Sequence, residues 1–436
     1  MILKQSSLQS IGLFSATCLV IGNMLGSGVY MMPANMANAG GAISLFSWAI
    51  ILIGVIALAL CFVQLNFLSK NHGGGPYYYV RMGFGFIPAY VINFIYIIAN
   101  LVAITSMLSI INGAVSLVFG HLCDHAWLPT TIELALVWIL TLLNIQGAKI
   151  VSILQSSSLS FVLFPVILVI GFGAYYFNWD IFSGNINPLH LSLLTVTNNA
   201  YNNIMWAFIG VESAVIIANI VRNPTKNVPI ATIAAVFAVA IIYIGVYICS
   251  MGVLENQVLT TSSTPLILVV RKLFSNRYIE YALIITAIID CISSILGWLL
   301  VTGHSIARSA QDNLINQYFS KLNSKDAPYR SLIIGSIIVS ITILCTVSGD
   351  ALEQFNKIIN ASVALYLVAY TGSMLAVLPI MSRSNNNMVV KSVYIVLALI
   401  ATGFCVYSLY ITERIYLLIA LGCVLFGWLL SLGTKN

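Results

Sequence analysis

Gly22-Asn23-Met24-Leu25-Gly26-Ser27-Gly28 sits in the middle of an apolar run covering residues 11–31, and its glycines decide how the chain is read. A helix crossing a bilayer needs about 20 apolar residues, and each interior glycine costs it roughly 1 kcal/mol relative to alanine. A second interruption, Trp206-Ala207-Phe208-Ile209-Gly210-Val211-Glu212-Ser213, lies inside the apolar run 197–221. The two have comparable exits: Pro33-Ala34-Asn35 after the first, Asn223-Pro224 and Asn227-Val228-Pro229 after the second. Small residues also let helices pack closely, which is the alternative reading of these glycines. Packing alone does not call for a glutamate beside one of them, and the pairing predicts two helices broken at mid-membrane.

The rest of the chain supplies the membrane. Charged residues are 7% of 436, against roughly 25% in a soluble domain, while hydrophobic residues are 60% and mean hydropathy is +1.00. Candidate spans fall at 11–31, 41–67, 84–118, 131–147, 153–178, 197–221, 228–253, 279–303, 331–347, 357–381, 389–411 and 415–432. Only helices and closed barrels satisfy the backbone in hydrocarbon. Runs such as Ile50–Leu60 and Ile233–Val246 are continuously apolar and longer than a barrel strand, so the prediction is an all-α integral membrane protein of about twelve spans. Five spans precede the second broken one, and five starting with it end at residue 381. An odd repeat length reverses orientation, giving inverted repeats at 11–178 and 197–381 within a single domain, with two peripheral helices at 389–432.

Charge sets the orientation. With both termini cytoplasmic, most of the 18 basic residues lie inside, among them Lys70, Arg81, Lys149, Arg222, Arg308 and Lys325. Arg271, Lys272 and Arg277 form an outer cluster that reads as a short interfacial helix. No basic stripe suits nucleic acid, and no nucleophile–base constellation suggests an enzyme. The first span has no A-x-A-like cleavage site and is expected to stay in the mature protein. The cysteines fit neither a zinc site nor a disulfide framework. His121-x-Cys123-x-His125 lacks a second ligand pair and reads as a solvated loop, so neither metal nor cofactor is expected.

A broken helix frees backbone groups. N–H groups at Ser27 and Gly28 would start a half-helix whose dipole favours a carboxylate. Carbonyls of Met24, Trp206 and Ile209 could accept from an ammonium group, so the predicted site reads a zwitterion without using a side-chain charge. Glu212 and Asp290 are ionisable groups inside spans, expensive there and functional candidates by default. Glu212 could bind a cation or proton, or simply hold a neighbouring helix. Asp290, on one face with Ser294 and Trp298, could attract cations or bond to another helix. Tyr96, Trp206 and Trp298 could stack on a cation or serve as packing residues.

These motifs, with Val29, the Gly74-to-Tyr77 segment and Ala214, resemble the basic amino acid/polyamine antiporters of the amino acid–polyamine–organocation superfamily over nearly the whole length. The resemblance implies a LeuT-like 5+5 inverted repeat with broken helices 1 and 6, often a homodimer, in the cell (inner) membrane. It implies exchange of a cationic amino acid for its decarboxylated amine, exporting positive charge and supporting acid resistance. A proton-coupled amino acid uptake permease on the same fold is the rival. By position, Asn23 joins the site, and Ser27 and Gly28 would bind the substrate carboxylate. Backbone at Met24, Trp206 and Ile209 would bind the α-amino group, and Ala99, Asn100, Met107, Trp298 and Ser362 would meet the distal cation. Tyr96, Trp206, Glu212 and Trp298 resemble gating residues, and Tyr77 a cytoplasmic-side gate. Arginine exchangers place asparagine where Ile104 stands and a small residue where Asp290 stands. Asn100, one turn earlier, could replace that amide, which leaves lysine, ornithine or diamine pairs open.

Overall fold

The computed structural model describes residues 10–26, 28–119, 127–262, 265–274, 276–345 and 351–433. In chain order the helices are α1 (Leu13–Leu25), α2 (Gly28–Ala39), α3 (Leu45–Leu68), α4 (Pro76–Phe84), α5 (Phe86–Phe119) and α6 (Leu128–Ile145). Next come α7 (Ala148–Tyr175), α8 (Trp179–Gly184), α9 (Leu193–Phe208), α10 (Ser213–Ile216), α11 (Pro224–Val253) and α12 (Asn256–Thr260). The last six are α13 (Pro265–Phe274), α14 (Arg277–Gln311), α15 (Tyr329–Cys345), α16 (Ala351–Arg383), α17 (Met388–Ile411) and α18 (Arg414–Gly433).

Helix ends follow local chemistry. Asn178, Ser192, Asn276 and Asn387 cap α8, α9, α14 and α17 by accepting from first-turn N–H groups. Gly85 and Gly147, at φ 91° and 106°, turn the chain between α4 and α5 and between α6 and α7. Prolines open α4, α11 and α13, where no intrahelical donor is lost.

Each of the twelve anticipated runs carries a helix. Among the described residues, nine helices are long and apolar enough to cross a membrane, and the pair α1 and α2, bent by 41°, makes a tenth. The chain is therefore an all-α, multi-spanning membrane protein with a broken N-terminal helix pair. The run at 331–347 yields the shorter α15, and the run at 197–221 is divided among α9, α10 and a 3-10 turn at Ala218–Ile220. The outer basic cluster is split: Arg271 and Lys272 end α13, whereas Arg277 opens α14. His121, Cys123 and His125 lie outside the described residues.

Burial separates core from rim. In their most apolar stretches α5 and α14 bury 71% and 72% of residues, α17 and α18 only 17%. Along their lengths the latter pair expose large apolar side chains, such as Val393, Leu399, Leu421 and Leu425, as lipid requires. Cys18, Cys61, Cys249, Cys291 and Cys405 are buried free thiols that pack as small apolar groups.

One end of the bundle gathers several of the basic residues. There Ile11 and Val221 form a parallel bridge, with Ile11 N donating to the Ile220 carbonyl at 3.0 Å and Arg222 N to the Ile11 carbonyl at 2.9 Å. Arg222 also reaches Ser10, and Asn323 reaches the Ile145 carbonyl at the α6–α7 turn. The glycine loop before α4 closes on the same end: Gly74 N donates to the Ile216 carbonyl at 3.1 Å.

Candidate functional site

The two helix breaks meet. α1 continues through Gly22, Asn23 and Met24 to Leu25 and breaks only at Gly26, at φ 37°. The expected unwinding over 22–28 is thus shorter than its glycines suggested. Gly22 has a different reason to be glycine: a Cβ there would lie 3.1 Å from the Gln155 amide nitrogen on α7. Gly28 opens α2, and Ser27 lies outside the described residues. The second break runs from Ile209 to Glu212, with Gly210 at φ 109°. Trp206 belongs to the last turn of α9.

Asn23 ties these pieces together. Its amide donates to Ser213 Oγ at 2.9 Å and accepts from Gln155 Nε2 at 3.0 Å. Its backbone carbonyl accepts from the Trp298 indole N–H at 3.2 Å. Gly210 packs so closely that a Cβ there would meet both Asn23 Cβ and Trp298 Cζ2 at 3.3 Å. Asn23 is therefore a positioning residue, its side chain committed to protein partners.

Two backbone acceptors foreseen as free are occupied. The Tyr243 hydroxyl of α11 lies 3.2 Å from the Met24 carbonyl and 2.9 Å from that of Leu25. The Trp206 carbonyl accepts from Ile209 N at 3.2 Å. Unpaired carbonyls are costly away from water, and in both places the protein supplies its own donor. Tyr243 also governs Gly28: a Cβ at Gly28 would fall well inside contact distance of its hydroxyl oxygen.

Asn23, Met24, Leu25, Gly26, Met107, Trp206, Ile209 and Trp298 line a cavity of about 10 Å³, counted as space for the centre of a water-sized sphere, which is room for one water. A lysine-sized molecule requires Trp206, Trp298 and Met107 to move. Among the other anticipated residues, Ala99, Asn100 and Ile104 are buried on α5, and Ser362 is buried on α16 with its hydroxyl on the Ile358 carbonyl. The Asn100 carbonyl oxygen accepts from the Tyr366 hydroxyl at 2.5 Å, while its amide nitrogen is buried without a partner. The Tyr366 ring lies 5.8 Å from the rings of both Tyr96 and Trp298, so Tyr366 links Asn100 to this aromatic cluster.

Glu212 is fully buried, and both of its oxygens accept: Oε1 from Tyr96 at 2.7 Å, Oε2 from Tyr370 at 2.5 Å and from Gly210 N at 3.2 Å. One carboxylate thus joins the second break to α5 and α16. Asp290 is buried near the first break, and its Oδ2 has no partner.

Tyr77 stands at the basic end. Its hydroxyl donates to Asp312 Oδ2 at 2.8 Å, His72 Nε2 lies 3.3 Å from Asp312 Oδ1, and Arg81 donates to the Asp312 carbonyl at 2.6 Å. Burial alone would raise the Asp312 carboxyl, but His72, Tyr77 and Arg308 together outweigh it and hold the group below its usual value. The His72 ring stacks on Tyr78 at 3.7 Å.

Sequence reasoning missed Gln155, Tyr243, Tyr366, Tyr370 and Asp312. Tyr366 and Tyr370 are four residues apart on one face of α16, a signal available in the sequence. Among the described residues no group of three or more metal-ligating side chains occurs.

Known proteins share this chain's pattern. The amino acid permease family profile matches residues 11–424. The putrescine transporter PotE of Haemophilus influenzae is 28% identical over 423 residues, 96% of each chain. PotE of Escherichia coli K12 is 27% identical over 432 residues, covering 98% of this chain and 97% of the relative. The cadaverine/lysine antiporter of Escherichia coli K12 is 29% identical over 376 residues, 84% of this chain and 82% of the relative.

Proposed function

The chain belongs to the amino acid permease family, and from that premise we propose that it is a secondary transporter exchanging a cationic amino acid for its decarboxylated amine, or a related polyamine, by alternating access. Its relatives are transporters rather than catalysts, named for putrescine and for the cadaverine/lysine pair.

The observation that carries the reading is the meeting of two broken helices around Asn23, Gly210 and Trp298. The N-terminus of α2 favours a carboxylate and the C-terminal end of α1 an ammonium group. Trp206 and Trp298 offer faces to a distal cation. In this reading Ser27 and Gly28 take the carboxylate, while backbone at Met24 and Ile209 takes the α-amino group once Tyr243 yields. Ala99, Asn100, Met107 and Ser362 border the distal amine. Glu212, with Tyr96 and Tyr370, forms a gate beside the cavity, and Tyr77 with Asp312 a second at the basic end. An amine lacking the carboxylate keeps the distal contacts, so both cargoes use one site.

The reading includes twelve crossings, a LeuT-like inverted repeat over 11–178 and 197–381, cytoplasmic termini, the inner membrane and a homodimer. The excess of basic residues at the end closed by Ile11–Val221 and Tyr77–Asp312 supports that orientation.

Counterflow in proteoliposomes tests the exchange. Preloading with lysine, ornithine, cadaverine or putrescine should accelerate uptake of a labelled cationic amino acid without a pH gradient. Uptake into empty vesicles that requires a pH gradient would instead identify a proton-coupled permease.

A further inference from the structure

The cavity between the breaks has room for one water, yet a far larger hollow lies between α3, α9 and α17. On the same measure its space is about 570 Å³, within the range of roughly 300–1,000 Å³ typical of small-molecule sites. α9 lines it from Leu193 to Tyr201, α17 from Leu399 to Tyr407, and α3 contributes Ile50.

Nothing in this groove suits a polar ligand. No charged side chain lines it, and its hydroxyls already have partners. Thr197 donates to the Leu193 carbonyl at 2.8 Å and accepts from Ser47 at 3.0 Å. Tyr201 donates to the Phe404 carbonyl at 3.0 Å, and Tyr407 to Asn198 Oδ1 at 2.7 Å. The protein does not fill the space either. Gly403 lines it, and a Cβ added there would meet no atom within 4 Å. The next residue, Phe404, is seated on α3 instead: a Cβ on Gly54 would fall well inside contact distance of its ring.

The mouth decides the occupant. Ile50, Leu193, Leu194 and Leu399 are exposed, and Phe46, Ile53 and Val396 continue the apolar surface outward along α3 and α17. The groove is therefore continuous with the lipid-facing rim, where the solvent is hydrocarbon. Eight residues separate Leu193 from Tyr201, and eight separate Leu399 from Tyr407. That is about 12 Å of helix, comparable with the reach of one leaflet, roughly 15 Å or half the hydrocarbon core. Apolar walls facing a void forfeit their dispersion contacts, and an acyl chain restores them.

We infer that this groove binds one acyl chain of a membrane phospholipid, and that the lodged chain steadies the second break through α9. That half-helix ends at Phe208, immediately before the break. α17 grips it along the groove: besides the bonds of Tyr201 and Tyr407, Ser408 donates to Asn202 Oδ1 at 3.0 Å and Asn202 donates to Thr412 at 3.3 Å. A shift of α9 against α17 reshapes the groove, so the chain binds one conformation better than another and draws the equilibrium towards it. The inference goes beyond the exchange reading and needs no cargo.

Photolabelling of the full chain tests the site, in vesicles of phosphatidylcholine that carries a diazirine midway along one acyl chain. Peptides containing Leu194 and Gly403 should be labelled several-fold more than those containing Leu418 and Leu421, which are exposed on α18. Gly403→Phe and, separately, Ile50→Trp should fill the groove and remove that excess while α18 stays labelled. Labelling no stronger than on α18, or an excess that survives both substitutions, would overturn the site. Cross-links between two copies through these residues in place of lipid labelling would overturn it too, making the occupant a second chain. Hydrogen exchange over residues 209–213 reads the effect on the break. It should be several-fold slower in dioleoyl than in diphytanoyl phosphatidylcholine, whose branched chains are too broad for the groove, and Gly403→Phe should erase the difference. An equal lipid response in parent and variant would overturn the action on α9. Neither measurement involves transport, so failure here is distinct from a failure of counterflow.

Discussion

The first break opens at Gly26, and the orphaned carbonyls before it, at Met24 and Leu25, are held by Tyr243, a donor from a different helix. The second runs over Ile209 to Glu212 and carries its own acceptor. Glu212 takes the Gly210 N–H from within the break and two tyrosine hydroxyls from outside it. The same problem, unsatisfied backbone in a low-dielectric interior, thus has two solutions. One is imposed by a neighbour and needs glycine at position 28 to admit it. The other is encoded in the break and draws its neighbours in. A hydroxyl borrowed from α11 is easily exchanged for a ligand's ammonium group, whereas moving Glu212 disturbs α5 and α16 together. In the proposed reading the first break would be the more adaptable binding surface, and the second the stiffer gate.

Substitutions at the two breaks can separate these roles. Glu212→Ala strands two hydroxyls and an N–H, each worth about 1–3 kcal/mol when orphaned in the interior. Counterflow should fall at least about a hundredfold, with Glu212→Gln intermediate because one acceptor oxygen remains. Equal losses for the two variants would contradict the acceptor role.

Gly28→Ala forces Tyr243 from its carbonyls, an overpacking effect of about 1–3 kcal/mol. Calorimetric titration with a cationic amino acid should show binding weakened about tenfold. Tyr243→Phe removes the donor without adding bulk and should change affinity less than tenfold, as a single hydrogen bond of about 0.5–1.5 kcal/mol allows. In the double variant the two effects should not add, since both act through one hydroxyl. Full additivity would mean that the Gly28 contact is irrelevant to the carbonyls.

The smallest effect concerns the basic end, where the tails of both broken spans are tied. A carboxylate held below its ordinary value, as Asp312 is, stabilises the fold above its unfolded value near about 3.9 and loses that contribution as pH falls through the folded one. The difference in thermal midpoint between the parent and Asp312→Asn should hold from neutral pH to about pH 5 and shrink only below about pH 4. A difference that vanishes by about pH 6 would show that the carboxylate is not what holds this closure.

Much of the architecture was legible because hydrocarbon permits so few backbone solutions: the apolar runs marked the long helices, though not short ones such as α4, α8 and α12, and glycine beside Glu212 marked the second break closely. The extent of the first break was not, because Gly22 and Gly26 look alike in sequence. One admits Gln155 and the other bends the chain, a distinction that depends on α7. Likewise nothing among 21 tyrosines singles out Tyr243, whose partners are 218 and 219 residues away. Asp312 reads as an ordinary loop acid until α4 and the loop before it bring Tyr77 and His72 against it. Asn23 was legible as a member of the site but not as a strut, since that role needs Ser213 and Gln155 beside it.

The most direct test of the shared site is calorimetric titration of the purified chain with lysine, ornithine, arginine and their decarboxylated amines, before and after replacing Trp206 and Trp298 with alanine. At least one dibasic compound should bind saturably to the parent and lose that binding in the double variant while the protein stays folded. Undiminished binding after both replacements, or none to the parent by any of the six, would contradict a cargo site between the two broken helices.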